Sequence, residues 1–183
     1  MHVRLLKITA AELPTREKEL GVERILPVNG AELPTREYFS LILRHYEATG
    51  NLLTPGEVGC ALAHLKALGA VIDSCAPAII FEDDIEVTKE RLETALRLVR
   101  KHKPSFVHLG FHQDFHGPRS VRGVPAQDGL YRSSPQFEMR GTFAYYVTSA
   151  TAEKIVAHRS RFFTFSDDWE PFFRLHREIM PLQ

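Results

Sequence analysis

The sequence predicts an α/β sandwich built on a largely parallel central sheet, and three observations carry that reading. Short apolar runs alternate with stretches of helical period from residue 3 to about residue 110, the pattern of strands joined by crossover helices. Thr54-Pro55-Gly56-Glu57 is a strong helix opening, with Thr54 as N-cap, Pro55 in the first turn and Glu57 at the reciprocal capping-box position. The apolar run Ala78 to Phe81 ends abruptly in three carboxylates, Glu82, Asp83 and Asp84. In open α/β sheets ligands bind at the carboxyl ends of strands, and this acidic stretch sits at such an end.

The chain has 183 residues, 44% hydrophobic and 25% charged, which suits one globular domain spanning residues 1–183. Formal net charge is zero, so the chain lacks the bulk positive charge with which nucleic-acid binders release counterions. No nucleic-acid partner is expected. Cys60 and Cys75 form neither a zinc-type pair nor a redox Cys-x-x-Cys and read as free thiols of a reducing compartment. The N-terminus lacks the apolar core of a signal peptide, and no apolar run is long enough to span a membrane. A cytoplasmic location is the expectation.

Taken in order, Val3 to Ile8 reads as a first strand and Thr15 to Leu20 as a short helix after Pro14. A second strand is expected over Arg24 to Val28, closed by the turn signal Asn29-Gly30. The heptapeptide Ala-Glu-Leu-Pro-Thr-Arg-Glu occurs at 11–17 and again at 31–37, a local duplication or a reused helix start. Arg36 to Ala48 is helical in pattern, as is Pro55 to about Ser74, with an apolar stripe of Val58, Leu62, Leu65, Gly69 and Ile72. Glu57 and His64 are seven apart, about 700° of helical turn, and so share a face. His64 is either a hydrogen-bonded histidine at the core edge or a group near a nucleotide or metal. Thr88 caps a helix to about His102, and Ser105 to Leu109 is a short strand.

Residues 110–128 are loop-like and suited to an acceptor site; His112 and His116 there are weak evidence for a metal. Phe143 to Val147 is an aromatic strand, preceded by Gly141, which allows close backbone approach of a ligand. A helix follows over Ala152 to His158, capped by Ser149 or Thr151. Asp167 and Asp168 lie between aromatic clusters. Either could cap a helix, or act as a base with its pKa raised by apolar surroundings.

Three adjacent carboxylates repel, and burying them unpaired costs several kcal/mol per ion. A cation removes that penalty. On an extended strand Glu82 and Asp84 would point one way and Asp83 the other, so Asp84 with Glu82 forms a clamp for Mn²⁺ or Mg²⁺. The plainer reading is a solvated acidic turn.

Two of these stretches resemble glycosyltransferase family 25, the lipooligosaccharide β-galactosyltransferases and their collagen-modifying relatives. They are Leu53-Thr-Pro-Gly-Glu-Val-Gly-Cys-Ala-Leu-Ala-His-Leu-Lys66 and, about a dozen residues on, Ile79-Ile-Phe-Glu-Asp-Asp-Ile-Glu-Val87. Pro27-Val-Asn-Gly30, Gly141-Thr-Phe-Ala-Tyr-Tyr-Val147 and Asp167-Asp168-Trp169 with Phe172-Phe173 look like further family segments. Ala63 stands where the family usually has serine. The first strand continues into Ile8-Thr-Ala-Ala-Glu12 rather than the usual Asn-Leu-x-Arg-Arg, and relatives usually run several dozen residues further.

The resemblance implies a GT-A-like α/β/α sandwich with a Rossmann-like sheet, a UDP-sugar donor and Mn²⁺. The donor is galactose by family default, the acceptor a lipooligosaccharide-type or lipopolysaccharide-type glycan, and the transfer inverting. Asp84 and Glu82 would hold the metal, with Asp83 toward the ribose or a basic group. Glu57, His64 and Gly141 would lie near the donor. Asp167 or Asp168 would be the base, with Asp168 preferred. Any membrane association would be peripheral, at the inner membrane, through the substrate. Two other readings stay open: another metal-dependent enzyme such as a phosphohydrolase, and an inactive nucleotide-sugar-binding relative.

Overall fold

Seven strands and six helices follow from these patterns in a computed structural model that describes residues 2–109, 141–176 and 179, with the backbone alone at 124–125 and 131–132. The strands are β1 (Arg4–Ile8), β2 (Val22–Ile25), β3 (Ala78–Phe81), β4 (Phe106–His108), β5 (Val124–Pro125), β6 (Tyr131–Arg132) and β7 (Ala144–Val147). The helices are α1 (Thr15–Glu19), α2 (Thr35–Thr49), α3 (Pro55–Ser74), α4 (Lys89–His102), α5 (Ser149–Arg161) and α6 (Glu170–Leu175), with a 3₁₀ turn at Gly30–Glu32. Five strands form one sheet in the order β2-β1-β3-β7-β4, and β5 pairs with β6 apart from it. β1 is parallel to β2 and β3, while β7 is antiparallel to both β3 and β4. Four of the five strands therefore point one way, and the sheet is mixed with a mostly parallel core. The fold is α/β and GT-A-like.

Strand alternation divides the core in two. Ala78 and Ile80 of β3, with Tyr145 and Val147 of β7, face the layer of α3, α5, Trp169 and Phe172. Ile79 and Phe81, with Ala144 and Tyr146, face Leu13 and the Leu92–Val99 stripe of α4. β3 is covered on both faces, which is why it reads as a continuous apolar run. α2 packs outside α3 through Leu41, Ile42, Val58, Ala61 and Phe163.

Several boundaries differ from the expected ones. β2 runs from Val22 to Ile25 rather than from 24 to 28, because the chain leaves the sheet before Pro27, which has no N–H to give a ladder. α5 starts at Ser149 and is capped by Thr148, whose Oγ1 accepts from Thr151 N at 3.4 Å. The buried residues of α3 are Val58, Gly59, Ala61, Ala63, His64, Ala67, Leu68 and Val71; of the expected stripe, Leu62, Leu65 and Ile72 sit only at its flanks. Small side chains let α3 lie close against the sheet and α5. The Ala63 methyl belongs to that packing. The loop with His112 and His116 lies outside the described residues apart from the backbone at 124–125.

Two heptapeptide copies both start helices, each with proline at the N-cap position: α1 after Pro14 and α2 after Pro34. Both leucines face the interior, Leu13 in the core beneath α4 and Leu33 against the cluster around Leu41, but only the first copy carries a buried ion pair. Glu17 is buried and accepts from Lys7 Nζ at 2.9 Å, and the same ammonium donates to the Ile85 carbonyl at 2.9 Å. Its counterpart Glu37 is exposed.

Candidate functional site

β3 ends at Phe81, so the acidic residues are not on a strand, and side-chain alternation does not place Glu82 beside Asp84. The chain turns instead, with Ile85 N donating to Glu82 O at 3.3 Å. Glu82 points inward, its side chain 22% exposed, while Asp83 and Asp84 face solvent at the same sheet end. The Lys7 bond to Ile85 O pins the far side of this turn to β1, and Val87 N donates to Glu17 at 3.5 Å.

Because β7 runs opposite to β3, the residues that precede it arrive at the carboxyl end of β3. Phe81 pairs with Ala144, and Glu82 N donates to Phe143 O at 3.0 Å. This brings Thr142 against Glu82. The Thr142 hydroxyl touches Glu82 Oε1 and lies 2.8 Å from Asp167 Oδ1. With one proton to give, it donates to one carboxylate while its oxygen faces the other. From the opposite side His64 Nε2 donates to Glu82 Oε1 at 3.1 Å. That fixes the tautomer, so His64 Nδ1 accepts from the Tyr145 hydroxyl at 3.1 Å. Both contacts on Glu82 fall on Oε1.

Asp167 is held by its neighbours. Ser166 Oγ donates to its Oδ1 at 3.4 Å, and Gly141 N donates to its backbone carbonyl at 3.2 Å. Gly141 has φ +95°, the left-handed region, and a Cβ there would come within 2.5 Å of the Phe143 ring. Its carbonyl accepts from His108 Nε2 and from Trp169 Nε1, both at 2.9 Å. Arg159 is buried behind this, donating to Ser166 O at 2.8 Å and lying 5.2 Å from the Trp169 ring centre. Neither aspartate caps α6, which begins after Trp169 without a side-chain cap.

Electrostatics follow the geometry. Burial alone would raise the Glu82 carboxyl, but the hydrogen bonds from His64 and Thr142 outweigh it and hold the group below the ordinary carboxylate range. Burial pushes His64 and His108 below the usual imidazole value, so both are neutral at pH 7. Burial likewise raises the Cys60 thiol, whose Sγ sits 3.1 Å from Ser166 Oγ and 4.0 Å from Glu82 Oε1.

Of the residues the sequence singled out, Glu82, His64, Gly141 and Asp167 meet in one network. Asp168 lies beside Asp167 with its N–H on Phe165 O at 3.2 Å. Glu57 does not join them: its carboxylate accepts from Thr54 N and from Thr54 Oγ1, both at 2.7 Å, and serves the start of α3. Thr142, Ser166, Tyr145, His108 and Arg159 were not among the expected residues. A buried polar residue inside an aromatic strand, as at Tyr145, was the signal available for one of them.

The sequence profile of glycosyltransferase family 25 (LPS biosynthesis protein) matches residues 9–169. The chain belongs to glycosyltransferase family 25. No curated relative matches the chain. The profile of this transferase ends at Trp169, so the match takes in every residue of the Glu82–Asp167 network. Among the described residues no helix is long and apolar enough to cross a membrane.

Its glycines acquire a physical reason. Gly59, in the Gly-Glu-x-Gly-Cys segment, meets Gly30, in the Pro27-to-Gly30 turn: a Cβ on Gly59 would lie 2.4 Å from Val28 O and 2.9 Å from Gly30 N. A Cβ on Gly30 would lie 1.9 Å from Pro55 O. The two family segments are thus backbone-to-backbone neighbours, and this contact sets α3, with Cys60 and His64, against the sheet end.

Proposed function

We propose that this family 25 transferase moves a sugar from a UDP-sugar, with galactose the leading donor, onto a lipooligosaccharide-type or lipopolysaccharide-type glycan, with inversion. One observation carries the reading: Glu82, Thr142 and Asp167 are joined at the carboxyl end of β3, beside the exposed carboxylates Asp83 and Asp84. That combination suits a donor site, with acidic oxygens at the solvent side and a buttressed carboxylate behind. The oxygen donors there suit Mn²⁺ or Mg²⁺, which bind through one or two carboxylates plus substrate phosphates. Asp84 and Oε2 of Glu82 would hold the ion, with Asp83 beside them. Such an ion offsets charge on the diphosphate leaving group.

The rest is done by the chain's own groups. Thr142 and Ser166 orient Asp167, and we assign Asp167, rather than Asp168, the acceptor hydroxyl proton because Thr142 ties it to Glu82. His64, held by Tyr145, fixes the Glu82 carboxylate. Trp169 and His108 lock the Gly141 carbonyl and with it the approach of residues 141–143. A lipid-linked acceptor places the working site at the cytoplasmic face of the inner membrane.

The test is UDP release from UDP-galactose in the presence of a lipooligosaccharide acceptor, with Mn²⁺ or with EDTA. Acceptor-dependent release with Mn²⁺ that EDTA and Asp84→Ala both abolish is expected. Full turnover of Asp84→Ala would remove the metal assignment, and no transfer from any nucleotide sugar would overturn the reading.

A further inference from the structure

Cys60, His64 and Glu82 offer a sulfur, an imidazole nitrogen and a carboxylate oxygen that all lie within 4.8 Å of one another. This is the one such group of three among the described residues, and it excludes the exposed Asp83 and Asp84. The donor set differs in kind from the oxygen ligands just discussed. Thiolate plus imidazole is borderline-soft and selects Zn²⁺ over Mg²⁺ or Mn²⁺.

We infer that Cys60 Sγ, His64 Nε2 and Glu82 Oε1 form a binding site for a thiophilic divalent ion, Zn²⁺ in the first instance, with a fourth position open to water. Bond lengths to tetrahedral zinc place its ligand atoms about 3.4 Å apart. The observed separations are 3.1 Å for His64 Nε2 to Glu82 Oε1 and 4.0 Å for Cys60 Sγ to Glu82 Oε1. The third pair, Cys60 Sγ and His64 Nε2, lies within 4.8 Å, so side-chain movements of about an ångström close the site, and both helical ligands are one turn apart on α3. Tyr145 OH lies 3.1 Å from His64 Nδ1 and holds the ring from behind; once Nδ1 carries the proton and the hydroxyl hydrogen turns aside, this becomes the outer-shell hydrogen bond that metal-bound histidines donate. The partly exposed Glu82 side gives the ion its way in.

The proton count is definite. Cys60 gives up its thiol proton. His64 stays neutral, its proton moving from Nε2 to Nδ1, where it is donated to the Tyr145 oxygen. One proton leaves per ion bound. Occupancy draws Glu82 onto α3 and away from the donor side, so Zn²⁺ is an inhibitor of transfer. The site itself stands on these three ligands and is independent of the transferase reading.

Co²⁺ titration of the whole protein reads it directly. The expected result is a thiolate-to-cobalt charge-transfer band with tetrahedral d–d bands, saturating at one ion per chain and displaced by Zn²⁺. Cys60→Ser, a near-isosteric change, should abolish the charge-transfer band, whereas Cys75→Ser, at the exposed thiol, should keep it. His64→Gln should at least weaken binding severalfold. Calorimetry of Zn²⁺ binding in buffers of different ionisation enthalpy should give about one proton released. A band that survives Cys60→Ser, one lost in Cys75→Ser, or no binding by wild type would overturn the site.

Discussion

Thr142 is the residue on which two carboxylates depend, since its hydroxyl spans Glu82 and Asp167. Replacing it with valine keeps the shape and removes the hydroxyl. Thr142→Val is expected to lower kcat by about 10²-fold, the cost of a catalytic group displaced by about an ångström, with KM for donor little changed. Thr142→Ser should restore most of the rate; equal losses in both variants would mean the methyl matters and the bridge does not. Asp167→Asn should bind UDP and fail to turn over, while Asp168→Asn keeps substantial activity; the reverse outcome would move the base to Asp168. His64 supplies a pH signature. Burial holds its folded-state pKa below the ordinary value of about 6.5, so below that pH the unfolded chain takes up the proton and the folded chain resists it. Stability therefore falls as pH drops below about 6.5, by up to about 1.4 kcal/mol per pH unit for each such histidine. Glu82, also lowered, adds a loss of the same sign in the ordinary carboxylate range and below. The difference in Tm between pH 7 and pH 5 should shrink in His64→Gln; an unchanged difference would contradict the assignment.

At the scale of elements, α3 joins the two family segments through a glycine contact, and the same helix holds its own control. Gly59→Ala forces a Cβ to 2.4 Å from Val28 O and should cost about 1–3 kcal/mol as overpacking. Gly69→Ala meets nothing within 4 Å and should stabilise the helix by up to about 1 kcal/mol. Urea midpoints for the pair check both signs. The heptapeptide copies make a second matched pair. Removing buried Glu17 strands the Lys7 ammonium, whose side chain is 8% exposed, and Glu17→Ala should cost about 3–5 kcal/mol. Glu37→Ala, in identical local sequence, should fall within about 0.5 kcal/mol of wild type. Similar losses at both positions would remove the ion pair's role in pinning the turn after Glu82. Here lies the limit of what sequence shows. The capping box at Thr54 and the apolar run of β3 act locally and were legible as such. The fate of Glu17 against Glu37 was not, because a tertiary partner decides it; a lysine inside the apolar run Leu5-Leu6-Lys7-Ile8 was the available hint.

For the whole molecule, the reversed strand β7 decides where chemistry can occur. A β7 parallel to β3 would put Gly141–Thr142 at the opposite end of the strands from Glu82. The alternation of strands and helices made the α/β class readable, and short motifs made Glu82, His64, Gly141 and Asp167 candidates. Their meeting was not readable. Cys60 and Ser166 are 106 residues apart, and only the sheet order places them in contact. Strand alternation, carried on from Phe81 to Asp84, put Glu82 and Asp84 on one side; the strand ends at Phe81, and after the turn Glu82 goes inward while Asp83 and Asp84 face solvent.

The central claim is that this sheet end binds a nucleotide diphosphate together with a divalent cation. Thermal shift of the intact protein with UDP and UDP-galactose, each with and without Mn²⁺, tests it most directly. Ligand at about 100 times its Kd adds about 2.7 kcal/mol, which for this chain length raises Tm by roughly 5–11 °C. The account predicts such a shift only when nucleotide and Mn²⁺ are both present, and its loss in Asp84→Ala. No shift with any nucleotide, or an equal shift in EDTA and in Asp84→Ala, would contradict it.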